Sequence, residues 1–475
     1  MVRGMTELNR DVGAPQTADL VAALEEQLAP RRGTLAPSQV WCVFDHAGIA
    51  ASGGFGPAAA APLDTAFRIA SCTKSFTSAT ALLLERDGVL DLGAPLDELL
   101  GEPLPIVVAG GAPASIPTLA DVLAMRAGFA TDDPWADRQE SLGDDEFGML
   151  LARGIRANRA PGGAYEYSNL GYALAGRALA RRAGTPYREL VRERLLEPLG
   201  LRSTSFTADV AAPGGAIVGY RATPAGWEEQ AFSGPGAFSP IGGLFSTLRD
   251  LATWCAALGG RAPAVLPPEL AARQRSPQQV IAREGATGSA YGFGLVVRDD
   301  GRGRRFLHHS GGYPGFTAHM AWDEASGIGA IAFENATYTN LATPLRAALD
   351  EVFSESAAVA VPAVSAVEPW PETRAAALAV RDALAGGELG QAELFDECVW
   401  MDAPPAERLT ALRALLDQTG AVTPGPIEFD TPASARWELV GARGSLRCSI
   451  GMTPLADSRV QWLRIAAVVP GSGLS

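Results

Sequence analysis

Lysine is all but missing from this chain. Lys74 is the one lysine among 39 basic residues, and every other is Arg. Arginine keeps its proton in a protein, whereas a desolvated lysine can lose it. Metal-ligand spacing is missing too. The five cysteines, Cys42, Cys72, Cys255, Cys398 and Cys448, are odd in number and contain no Cys-x-x-Cys. They read as free buried thiols of a reducing compartment, with no metal and no cofactor implied. No apolar run approaches the ~18 residues that span a bilayer. Residues 1–28 are mixed and acidic without an apolar core, so no secretory leader is read and a cytoplasmic location is expected. A basic surplus is absent as well. The formal net charge of -14 argues against nucleic acid or an anionic membrane as partner.

What is present is material for large cores. A chain of 475 residues with 47% apolar side chains predicts two or three domains. Helical spacing covers about 17–30. Residues 38–55 alternate around Asp45-His46-Ala47-Gly48 and predict a β-hairpin, with His46 as a turn residue. The run Phe76 to Asp87 predicts a fully buried helix closed by Gly88. Residues 119–200 read as helices broken by polar loops. One loop, Thr131-Asp132-Asp133-Pro134-Trp135, is acidic and carries an aromatic; it could line a substrate cleft, but reads first as a solvated loop. Further on, 291–297 is expected to be one strand, strands follow at 305–315, 319–322 and 328–334, and a helix covers 341–353. Strands at both ends with helices between them predict an antiparallel sheet flanked by helices, plus a helical lobe.

Three short segments carry the chemistry. Lys74 follows Ser71 by three residues, so a helix opening at Ser71 places both on one face. A serine hydroxyl is a weak nucleophile until a neighbour takes its proton. Tyr167-Ser168-Asn169 comes next, and alone it reads as a helix N-cap. His309-Ser310-Gly311 ends a predicted strand, with His308 on the opposite face. Glu166 should point away from Tyr167.

Taken in order, the segments match the Ser-x-x-Lys, Tyr/Ser-x-Asn and Lys-Thr-Gly-like pattern. The chain resembles the serine β-lactamase and penicillin-binding protein (DD-peptidase) superfamily, on its class C β-lactamase, esterase and D-aminopeptidase branch. The resemblance implies an α+β, β-lactamase/transpeptidase-like fold over residues 16–355. A tail over 1–15, a linker over 356–370 and a small α+β domain over 371–475 complete the expected division. It implies catalytic roles for Ser71, Lys74, Tyr167 and His309, and substrate contacts from Asn169, Ser310, Gly311 and Gly312, with Asn169 alternatively holding Lys74. The backbone N–H groups of Ser71 and Gly312 would receive the oxyanion. Lys74 and Tyr167 both remain open as the base, since they form one titrating unit. His309 departs from the Lys of many β-lactamases. A mostly neutral side chain there suits esterases and aminopeptidases better than β-lactam substrates.

The leading expectation is a serine hydrolase that forms an acyl-enzyme on Ser71 and cleaves an ester or amide of a small molecule or short peptide. A second is a thioesterase of penicillin-binding-protein type that passes a peptidyl group to an amine. A third is a catalytically silent binding module. A homo-oligomer is compatible with each.

Overall fold

Val40, Cys42 and Phe44 face one apolar core, while Trp41 and Val43 face another. A strand buried on both sides needs no polar alternation. That is why Gln39–Asp45 reads as an almost continuous apolar run. The computed structural model describes residues 7–8, 15–108, 115–212, 214–284, 287–353 and 367–468. Of the expected tail, Glu7–Leu8 is described, paired to Ser52 and Ala51. Most of the expected linker lies outside the described residues.

The principal sheet has nine strands: β1 (Glu7–Leu8), β2 (Gln39–Asp45), β3 (Gly48–Phe55), β4 (Gln279–Glu284), β5 (Thr287–Tyr291), β6 (Val296–Asp300), β7 (Arg305–Tyr313), β8 (Phe316–Asp323) and β9 (Gly329–Glu334). They run β1-β3-β2-β9-β8-β7-β6-β5-β4, each pair antiparallel. Helices α1 (Pro15–Leu28) and α5 (Ala342–Phe353) cover one face, packing Leu24 and Leu345 against Trp41 and Phe306. On the other face lie α2 (Thr73–Arg86) and α4 (Leu248–Ala256), with the helical lobe beyond them. The lobe's central helix is α3 (Asn169–Ala183).

Helix α2 is buried at every position from Thr73 to Leu84. Its polar residues are there because each has a partner. Ser75 Oγ accepts from Trp254 Nε1 at 2.8 Å, and Thr77 Oγ1 meets the Tyr187 hydroxyl at 2.7 Å. Phe76 stacks on Trp254 with ring centroids 4.0 Å apart. Gly88, with φ +71°, supplies the left-handed residue after the helix end.

One expected strand is broken. Residues 291–297 do not form a single strand. β5 stops at Tyr291, the chain turns over Gly292–Leu295, and β6 begins at Val296. Gly294 has φ +74°, and a Cβ there would lie 2.5 Å from the Lys74 carbonyl oxygen. The turn is pressed onto the first turn of α2, which an apolar pattern cannot announce.

The C-terminal residues fold as two long helices, α6 (Pro371–Ala385) and α7 (Pro405–Thr419), beside a separate sheet. Its strands are β10 (Val422–Pro424), β11 (Glu428–Thr431), β12 (Ser434–Gly441), β13 (Gly444–Met452) and β14 (Val460–Ala467). The order is β10-β12-β13-β14, with β11 also on β12. This segment is moored to the lobe. Gln461 accepts from the Trp135 N–H at 3.3 Å and donates to the Thr131 carbonyl at 2.8 Å. Arg156 pairs with Glu372 at 2.6 Å.

Candidate active site

Ser71 sits in a 3-10 turn, Ala70–Cys72, that runs directly into α2. It therefore precedes the α-helix rather than opening it. Ala70 has φ +46°, a left-handed conformation that costs a residue with a Cβ. Two neighbours fix the turn. The Ile69 N–H donates to the Leu244 carbonyl at 2.9 Å, and β7 lies against it where a Cβ on Gly311 would come within 2.2 Å of the Ile69 oxygen.

One turn on, Lys74 is fully buried. Its Nζ lies 2.9 Å from Ser71 Oγ and donates to the Ile241 carbonyl at 2.8 Å. Burial pulls the amine down to about 8, against the opposing pull of Asp133, Asp137 and Asp132. When the amine is neutral, the same 2.9 Å line can carry the serine proton to nitrogen.

The Tyr167 ring stands over Lys74, its centroid 4.9 Å from Nζ. Burial raises its phenol well above the ordinary range, Asp133 adds to this, and a hydrogen bond with Ser71 opposes it. Asn169 is buried and directs Nδ2 to Asp133 Oδ1, not to Lys74. Glu166 points away, as expected, held by Asn158, Thr131 and Arg159.

The acidic loop is not solvated. Asp132 is fully buried and accepts from the Asn169 N–H at 2.8 Å and the Leu170 N–H at 2.6 Å, so it caps α3. Asp133 and Asp137 face the cleft, and Asp137 accepts from the Tyr338 hydroxyl at 2.7 Å. The sequence showed this loop as acids beside an aromatic, and that was the available signal. Arg68 gave none. It is 2% exposed and pairs with the buried Glu140 at 3.3 Å. It also donates to the Gly242 carbonyl at 3.1 Å, next to the Ile241 carbonyl that holds Lys74.

Strand β7 alternates as a strand must. His309 faces the cleft. His308 faces its ring toward His319, 5.4 Å away, and Ser310 Oγ meets His319 Nδ1 at 2.9 Å. His309 uses both ring nitrogens: Nδ1 donates to the Ser310 carbonyl at 2.6 Å, and Nε2 accepts from the Tyr291 hydroxyl at 2.8 Å. Burial, with Lys74 adding repulsion, holds the imidazole down at about 3, so it is neutral. Gly312 lines the same cleft as Ser71, and a Cβ there would come within 2.7 Å of the Tyr338 ring.

The cleft encloses about 620 Å³. Ser71, Tyr167 and His309 line one wall, and Asp402, Arg408 and Trp462 to Arg464 of the C-terminal segment line another. The individual residues of that second wall left no signal in the sequence.

An antiparallel sheet, a helical lobe and a serine–lysine pair at their junction define the β-lactamase/transpeptidase-like fold class. The chain belongs to the Beta-lactamase family, whose profile matches residues 22–353. It is similar to the Unguisins hydrolase ungD' of Aspergillus campestris, 27% identical over 292 residues, covering 58% of this chain and 54% of that protein. The chain thus spans about half the length of that relative. Esterase EstB of Burkholderia gladioli is 27% identical over 335 residues, 61% of this chain and 83% of the esterase. Among solved structures, the octameric penicillin-binding protein homologue from Pyrococcus abyssi shares the fold. Its TM-score is 0.58 at 18% identity, covering 94% of this chain and 99% of that one. Among the described residues, no helix is long and apolar enough to cross a membrane.

Proposed function

We propose that this protein is a serine hydrolase that forms an acyl-enzyme on Ser71 and cleaves an ester or amide of a small molecule or short peptide. The contact between Lys74 and Ser71 carries this reading. Burial lowers the Lys74 amine to about 8 and raises the Tyr167 phenol, so the amine gives up its proton first. Lys74 is thus the base, and Tyr167 a protonated phenol beside it. The Ser71 hydroxyl proton passes to Lys74 Nζ as Oγ bonds to the carbonyl carbon. The bond from that carbon to the leaving group breaks, and the leaving group takes a proton through Tyr167. Water then cleaves the acyl ester and restores Ser71. The names of the relatives, a hydrolase and an esterase among them, support the reaction class. His309 is neutral with both nitrogens engaged, which supports esters and amides over β-lactams.

Residues 16–355 would carry this chemistry and residues 371–475 would wall the cleft. The likeness to an octameric homologue favours self-association, which light scattering against the 49.4 kDa chain mass tests. Turnover of p-nitrophenyl acetate tests the central reading. The native protein should release nitrophenolate with an initial burst of one equivalent. Ser71→Ala, folded and with an unchanged melting temperature, should release none. Equal turnover by Ser71→Ala would refute the proposal.

A further inference from the structure

Tyr338 lies just beyond β9 and lines the same cleft as Ser71. Its backbone has φ +50°, a left-handed conformation that a bulky side chain seldom takes. Strain of this kind persists only where the surroundings over-determine it, and it gathers at functional sites. Both neighbours are tied down. The Thr337 N–H donates to the Tyr220 carbonyl at 3.0 Å, and Thr337 Oγ1 accepts from the Gly315 N–H at 2.8 Å. The Thr339 N–H donates to Thr317 Oγ1 at 2.8 Å, and the Thr339 carbonyl accepts from Arg31 at 2.8 Å.

The side chain is pinned at its far end as well. Its hydroxyl donates to Asp137 at 2.7 Å. Asp137 belongs to the turn Ala136–Gln139 of the helical lobe, is 5% exposed, and accepts at its own carbonyl from the Tyr313 hydroxyl at 2.6 Å. The ring therefore runs from the sheet side to the lobe and is held at both ends. Along the way it lies on Gly312, where a Cβ would come within 2.7 Å of it. Core burial does not account for the arrangement, since Tyr338 is 42% exposed.

We infer that Tyr338 is a fixed bar across the Gly312 end of the cleft and sets the size of the substrate group that Ser71 can take there. The inference rests on the hydrolase reading and deepens it. Preferred substrates carry a small group at that end, because a ring held at backbone and hydroxyl cannot swing aside for a large one. Tyr338 is a specificity-determining residue.

Three esters test it. p-Nitrophenyl acetate is the reference, p-nitrophenyl octanoate lengthens the acyl side, and 4-methylumbelliferyl acetate enlarges the leaving group. Tyr338→Gly removes the ring and relieves the backbone. It should raise kcat/KM for at least one enlarged ester, relative to the reference, by about tenfold over the native ratio, since even one methylene in a closed pocket is worth that much. Tyr338→Phe, which keeps the ring and loses the hold of Asp137, should fall between. Both esters of a ratio are read on one protein sample, so the folded fraction cancels. Should the glycine variant not fold, Tyr338→Asn also clears the ring and accepts the left-handed backbone, and the same gain is expected of it. Ratios that stay at the native value on both the acyl and the leaving-group side overturn the inference and leave the hydrolase reading standing. If the native protein cleaves none of the three and a fluorophosphonate does not label Ser71, the hydrolase reading fails and takes the inference with it.

Discussion

The Tyr291 hydroxyl donates to Nε2 of His309 at 2.8 Å and thereby fixes which nitrogen of that ring carries the proton. With Nδ1–H committed to the Ser310 carbonyl, the imidazole is held as one neutral tautomer. Tyr291→Phe removes a bond that favours the neutral form, so the imidazole should rise from about 3 toward its ordinary range. The ring carbon-bound proton shifts of His309, followed by NMR from pH 3 to 8, check this. A midpoint that stays put or falls would show that burial alone sets it.

With Lys74 proposed as the base, the pH dependence of kcat/KM should follow its amine. Protonated amine cannot accept the serine proton, so activity should be low below the amine's midpoint and climb as pH rises through about 8. Asp133 favours the charged amine. Asp133→Asn should therefore shift the rising limb to lower pH. A limb that moves upward would contradict the sign of that interaction.

Arg68 and Glu140 form an ion pair with side chains 2% and 1% exposed. Removing one partner strands a buried charge, so Arg68→Met should lower stability by about 3–5 kcal/mol in chemical denaturation. Activity should fall below what the loss of folded protein explains, because Arg68 also holds the Gly242 carbonyl beside the Lys74 contact.

Gly311 lets β7 lie against the Ser71 turn. In Gly311→Ala the new Cβ would sit 2.2 Å from the Ile69 oxygen, and strand and turn must part. A displacement near 1 Å at the reacting groups can cost about 10²-fold, so kcat should drop on that scale while far-UV circular dichroism stays native.

How much of this the sequence could say depends on the range of each contact. Ser71 and Lys74 are three residues apart, so helical periodicity was enough to pair them. The buried run of α2 and the hairpin of β2 and β3 were likewise local patterns. Asp133 meets Asn169 across 36 positions, and Gln461 meets Thr131 across 330. Neither pairing leaves a trace in spacing. The acidic loop read as solvated because carboxylates usually are, yet Asp132 is buried on the N–H groups of α3. The turn at 292–295 was taken for strand because apolar residues filled it, and only Gly294 pressed on the Lys74 carbonyl explains the break.

The central claim is that a buried amine activates Ser71. Intact-protein mass spectrometry after exposure to a fluorophosphonate tests it most directly, on the native protein, Ser71→Ala and Lys74→Arg. A single adduct mapped to Ser71, absent in Ser71→Ala and greatly slowed in Lys74→Arg despite its retained charge, is the predicted result. An adduct on another residue, or labelling of Lys74→Arg at the native rate, would contradict it.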